Sequence, residues 1–159
     1  METIMQAIGL LESGQTDEAI RLLKSFTPLA SDDEKLTVAQ VYMQWGFLQE
    51  AVDLLQNLRL SHPENCEVKL LLADIYIELN DDKAAINLLN DIDPDDPSYV
   101  QALLQLADLY QAEGLFEVTE QKLLEAKNLM PEEPVIDFAL GEFYFSMGNY
   151  KKSIIYYEK

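Results

Sequence analysis

The chain holds one cysteine, one histidine and one tryptophan in 159 residues. A single thiol, Cys66, excludes an internal disulfide, and with only His62 beside it the chain falls short of the four Cys or His ligands that structural zinc takes. Positive charge is scarce as well. Eleven Lys and Arg stand against 29 Asp and Glu, a formal net charge of −18 that would repel a phosphate backbone or an anionic bilayer. Nucleic acid and membrane are therefore excluded as expected partners. Long apolar runs are missing too: stretches such as Leu70-Leu71-Leu72-Ala73 are far shorter than the roughly 20 residues of a spanning helix. The six glycines are isolated from one another, which removes a glycine-rich phosphate cradle, and no cofactor is expected. The opening Met1-Glu2-Thr3-Ile4 has no basic region and no apolar run, so the expected location is cytoplasmic.

What is present is a periodic core. Hydrophobic residues make up 48% of the chain, enough for one compact domain or a short solenoid. Leu72-Ala73-Asp74-Ile75-Tyr76 returns as Leu106-Ala107-Asp108-Leu109-Tyr110 and again as Leu140-Gly141-Glu142-Phe143-Tyr144, with Val38-Ala39-Gln40-Val41-Tyr42 ahead of them in the same register. Four residues after each tyrosine stands Gly46, Asn80, Gly114 or Gly148, types that tolerate the left-handed backbone at the end of a helix. Small residues Ala51, Ala85, Thr119 and Ser153 follow, then Leu55, Leu89, Leu123 and Tyr157 one turn further along the same face. Prolines Pro63, Pro97 and Pro131 mark the junctions, with Ser31 and Glu34, Ser61 and Glu64, and Asp96 expected as caps. The pattern predicts helix pairs.

A large apolar residue, a small one, Tyr, a turn Gly, Ala, a large apolar residue and Pro, repeated every 34 residues, resembles the tetratricopeptide repeat (TPR) family. The resemblance implies an all-α, right-handed superhelical solenoid in a single array, with repeats at about 1–31, 32–65, 66–99 and 100–133 and a partial one at 134–159. The first repeat is two residues short and aligns Ala7, Leu10, Gly14, Ala19 and Leu23 with the later landmarks. The bulky aromatic that often opens the family's first helix is replaced by Thr3, Lys35, Lys69, Leu103 and Asp137. Because Tyr156-Tyr157-Glu158-Lys159 falls inside a helix, the chain is expected to be the N-terminal part of a longer bacterial-type TPR protein, with an exposed apolar end.

In the TPR family the residues facing the concave groove lie at the second, fifth, ninth and twelfth positions of each repeat. The resemblance thus implies a wall of Leu36, Leu70, Leu104 and Phe138 at the fifth position. Gln40, Asp74, Asp108 and Glu142 stand at the ninth, and Met43, Ile77, Gln111 and Phe145 at the twelfth. An apolar stripe beside an acidic one suits a protein or peptide segment carrying apolar anchors and Lys or Arg. The same stripes also read as repeat-to-repeat packing and a solvated charged face. The Lys, Arg and Asn clamp with which chaperone-adaptor members hold a C-terminal carboxylate is missing. No catalytic set emerges: His62 and Cys66 lack a third oriented group, and Asp74 and Asp108 sit on separate helices, too far apart for tight coupling. The expectation is a non-enzymatic interaction scaffold. The alternative is a structural module that self-associates through its repeat ends.

Overall fold

The computed structural model describes Met1–Glu158, and all of its regular structure is helical. The chain divides into two compact units. Met1–Leu79 holds α1 (Glu2–Glu12), α2 (Thr16–Phe26), a 3-10 turn (Thr27–Leu29), α3 (Asp32–Gln44), α4 (Leu48–Ser61) and α5 (Cys66–Glu78). From Asn80 onward come α6 (Asp82–Asn90), α7 (Tyr99–Ala112), α8 (Phe116–Leu129), α9 (Pro134–Ser146) and α10 (Tyr150–Tyr157). In the first unit α1 packs on α2, α3 on α4, and α4 on α5. In the second, α6 packs on α7, α7 on α8, α8 on α9, and α9 on α10.

The turns follow from backbone chemistry. Gly14, Gly46, Gly114 and Gly148 have φ between 79° and 84°, and Asn80 takes φ 63°, so each sits in the left-handed region. The residue after each of the four glycines donates its N–H five residues back, as Phe47 N does to Tyr42 O at 2.8 Å and Asn149 N to Tyr144 O at 2.8 Å. These bonds satisfy carbonyls that a helix end leaves open and reverse the chain in few residues.

The periodic landmarks are the core. Ala7, Ala39, Ala73 and Ala107 on the first helices, and Ala19, Ala51, Ala85 and Thr119 on the second, are fully or almost fully enclosed. Small side chains at these levels let the helices approach closely. Large neighbours Ile4, Val38, Leu72, Leu106, Leu140, Leu23, Leu55, Leu89 and Leu123 fill the space between them. Tyr157, at the last of these positions, is instead 42% exposed, with Ile154 and Ile155 exposed beside it.

Two expected caps fall elsewhere. Ser31 and Glu34 form the reciprocal capping box of α3, but Ser61 is the last residue of α4 and Pro63 lies in the turn beyond it. Asn65 caps α5 instead, its Oδ1 accepting from Glu67 N at 3.0 Å and Val68 N at 3.4 Å. Asp96 accepts from Ser98 N at 2.8 Å, closing a side-chain turn over Pro97 ahead of α7 rather than capping the helix itself. Its short carboxylate is satisfied before the helix starts.

Candidate functional site

The expected groove residues occupy first helices in both units. In the first unit α3 carries Leu36, Gln40 and Met43, and α5 carries Leu70, Asp74 and Ile77. Gln40 is exposed, while Leu36, Met43, Asp74 and Ile77 are half-buried. Leu70 is different: it is buried, and its side chain belongs to the packing of the unit rather than to a displayed stripe. A shared register does not give equal exposure, because each side chain depends on which neighbour covers it.

In the second unit α7 carries Leu104, Asp108 and Gln111, and α9 carries Phe138, Glu142 and Phe145. Leu104 and Gln111 are half-buried, whereas Asp108 and Glu142 are exposed. Desolvation nonetheless raises the Asp108 carboxyl above the usual carboxylate range, so its outer surface is wet while the group itself sits close against protein. Gln111 Nε2 donates to Ser146 Oγ at 3.3 Å, tying α7 to α9 at this face. Phe138 and Phe145 are 59% and 57% exposed, one turn either side of Glu142.

Aromatic residues of α10 extend that face. Tyr157 donates its hydroxyl to Glu142 Oε1 at 2.6 Å, and its ring lies 6.0 Å from that of Phe138. Tyr150 meets Phe145 edge-on at 5.3 Å. Neither tyrosine stands at a groove position of the repeat, so register alone did not point to them. The signal available was compositional: α10 is rich in aromatic and β-branched residues where earlier second helices carry Leu and Ala.

Tyrosines at the repeat register are tied into the fold. Tyr76 OH accepts from Gln56 Nε2 at 3.0 Å, Tyr110 OH accepts from Asn90 Nδ2 at 3.3 Å, and Tyr144 OH donates to Glu120 Oε2 at 2.6 Å. Each partner belongs to the preceding second helix. Tyr42 has no such partner and opens instead on a cavity of about 350 Å³ between α2, the 3-10 turn, α3 and α4. The expected wall does not include this cavity; its trace in the sequence was Lys35, where the family often has a bulky aromatic.

His62 and Cys66 do not converge on a common centre. His62 Nε2 lies 2.7 Å from Asp32 Oδ2, joining the end of α4 to the start of α3. Cys66 is buried, its thiol 3.8 Å from the Glu64 carbonyl oxygen to which it donates. No cluster of three or more metal-ligating side chains occurs among the described residues. Trp45, the closing residue of α3, is 38% exposed at the turn. No helix among the described residues is long and apolar enough to cross a membrane.

Residues 42–107 match the tetratricopeptide repeat family, and residues 111–159 match the YpiA-like tetratricopeptide repeats. The chain is 41% identical over 159 residues to the TPR repeat-containing protein YpiA of Bacillus subtilis (strain 168); the match covers 99% of this chain and 38% of that protein. Among solved structures, a crystal structure of MamA superposes with a TM-score of 0.75 at 18% identity, over 96% of this chain and 90% of that one. A second MamA crystal structure gives a TM-score of 0.73 at 19% identity, over 99% and 89%. At these identities the likeness is one of fold.

Proposed function

The chain belongs to the tetratricopeptide-repeat family, and on that basis we propose that it is a non-enzymatic scaffold that holds a protein segment carrying apolar and basic residues against its first-helix faces. The observation that carries this reading is the exposed face of α9, where Glu142 stands between the exposed rings of Phe138 and Phe145. Exposed aromatic rings are costly to leave in water and provide rigid anchor area when covered. The carboxylate between them favours a partner with Lys or Arg, as does the formal charge of −18 over the whole chain. Gln40, Asp74 and Asp108 would supply the same polar rim on the other first helices. The exposed Ile154 and Ile155 of α10 favour a second reading, self-association through a helix face.

The test is capture of partners from a cytoplasmic extract with the wild-type chain and with Asp74→Lys/Asp108→Lys, at low and moderate salt, with circular dichroism to establish equal helicity. Groove binding requires a salt-sensitive partner that the charge-reversed protein loses. Capture of the same set by both proteins would overturn the groove reading. If that set is the chain itself, and Ile154→Ser/Ile155→Ser abolishes it, self-association takes its place.

A further inference from the structure

We propose that the cavity in the first unit is a second, separate binding site, which takes an extended peptide segment bearing an acidic residue at one end, an apolar side chain in the middle and a basic residue at the other. The site is independent of the first-helix faces. Lys35 and Tyr42 are seven residues apart on α3, hence on one side of that helix, roughly 100° around from Leu36 and Met43.

Three observations carry the assignment. The first is Tyr42. The residue is only 3% exposed, yet its hydroxyl has no hydrogen-bond partner among the described residues. At the same register Tyr76, Tyr110 and Tyr144 are each bonded to Gln56, Asn90 or Glu120 of the preceding second helix. Two of those partners are carboxamides that donate to the phenol oxygen, the same group that a peptide N–H presents. The hydroxyl is not a fully buried orphan; it opens on the cavity, where a ligand amide can supply the bond that the neighbouring helix supplies to the other tyrosines.

The second observation is Lys35. At the corresponding level Leu103 is fully buried, and Asp137 is buried against Lys127 Nζ at 2.7 Å. Lys35 fills no such role: it lines the cavity with Lys24 of α2, and neither lysine forms an ion pair among the described residues.

The third is the separation of charge within the cavity. Because α3 and α4 run antiparallel through a tight turn, Lys35 stands level with Asn57 near the end of α4, while Tyr42 stands level with Glu50 near its start. Glu50 adds to the desolvation that raises the Tyr42 phenol, which agrees with its nearness. Asp53 joins Glu50 at that end, Lys24 joins Lys35 at the other, and Leu54, Leu58 and Pro28 are apolar lining. Seven helical residues separate the two ends by roughly 10 Å. A free amino acid is too short to reach both, whereas three extended residues span about that distance. The volume, about 350 Å³, lies at the small end of the range that ligand pockets occupy.

The experiment is a titration of the ¹⁵N-labelled chain with the capped tetrapeptide Glu-Ala-Leu-Lys, and with versions in which Glu or Lys is replaced by Gln, following amide shifts. Expected is saturable binding below about 1 mM with shifts centred on Tyr42, Leu54 and Leu58. Each neutralised peptide should bind roughly 2- to 5-fold more weakly. Tyr42→Phe, which keeps the ring and its packing, should weaken binding roughly 3- to 10-fold. Lys35→Leu, which copies the buried Leu103, removes one of the two positive charges at that end and should keep or raise the Tm while weakening binding roughly 2- to 5-fold. No saturable shift with any peptide would overturn the proposal. So would shifts centred on Leu36, Gln40 and Met43, or equal binding by all three peptides, or binding unchanged in both Tyr42→Phe and Lys35→Leu.

Discussion

Lys127 Nζ lies 2.7 Å from Asp137 Oδ1, with the two side chains only 17% and 10% exposed. The contact joins α8 to α9, and the same ammonium donates to the Pro131 carbonyl oxygen at 2.5 Å. The Asp137 oxygen makes no aligned hydrogen bond, so the attraction is one of charge.

Removing one partner leaves the other charge with little solvent. Asp137→Ala is expected to lower stability by roughly 3 kcal/mol, the low end for breaking a buried pair, because neither side chain is wholly enclosed. Asp137→Leu with Lys127→Met should cost much less, since it removes both charges and keeps the volume. Urea unfolding of the three proteins measures this, and equal losses for the single and double changes would show that the volume, not the charge, matters.

Gly141 gives the ring of Tyr157 its seat. A Cβ at position 141 would stand 2.8 Å from two ring carbons, so Gly141→Ala must displace the ring from the position in which it bonds Glu142. In a Tyr157→Ala background that obstacle is gone, and Gly141→Ala should stabilise the helix by about 0.5–1 kcal/mol through propensity alone. In the wild-type background the gain should be smaller or reversed. A double-mutant cycle on thermal unfolding reads the difference, and additivity within error would mean that the ring adjusts freely.

Tyr99 donates to Glu125 Oε2 at 2.5 Å, and that bond with its carboxylate pushes the Tyr99 phenol from 10.0 up to about 12. Burial, then the bond to Glu120, raises Tyr144 as well. Both folded values lie above the unfolded one, so the unfolded chain releases these protons first. Both contributions are complete below pH 10; that of Tyr99 is lost as pH rises from 10 towards 12, and that of Tyr144, the more strongly raised, is lost over a range that extends higher. Alkaline unfolding of the wild type should therefore steepen across that window, and Tyr99→Phe/Tyr144→Phe should flatten it. Identical profiles would remove both phenols from the alkaline transition.

Asn80 occupies with φ 63° the turn position that glycine holds in the other repeats. Asn80→Gly is expected to be neutral or stabilising by a few tenths of a kcal/mol, and Asn80→Ala to cost about 1 kcal/mol. Gly114→Ala should cost about 1–2 kcal/mol although a Cβ there meets nothing within 4 Å, because the penalty comes from φ 82° and not from crowding. Chemical denaturation of each variant decides; a neutral Gly114→Ala would mean that the turn relaxes out of the left-handed region.

The repeat and its turns were legible because each landmark acts locally. A glycine or asparagine four residues after a tyrosine needs no distant partner to favour a left-handed turn, and Gly46, Asn80, Gly114 and Gly148 all adopt it. The caps were legible only in part, since Ser61 and Asn65 compete within five residues and a small difference in where α4 stops decides between them. Of the candidate wall, the helices that bear it followed from the period, but its exposure did not: Leu36 and Leu70 share a register, yet one is half-buried and the other buried.

Helix, turn and the 34-residue period belong to the letters of the chain, because backbone preference and the alternation of small and large side chains act over a few neighbouring residues. Packing alone assigned the polar side chains their different fates at one register: Lys35 beside a cavity, Lys69 buried, Asp137 paired with Lys127. Tyr42 and Tyr76 differ for the same reason, since a phenol is satisfied only if the preceding second helix brings a partner such as Gln56 within reach. Burial and pairing are properties of what lies across from a residue, and that neighbour is set only when the helices pack.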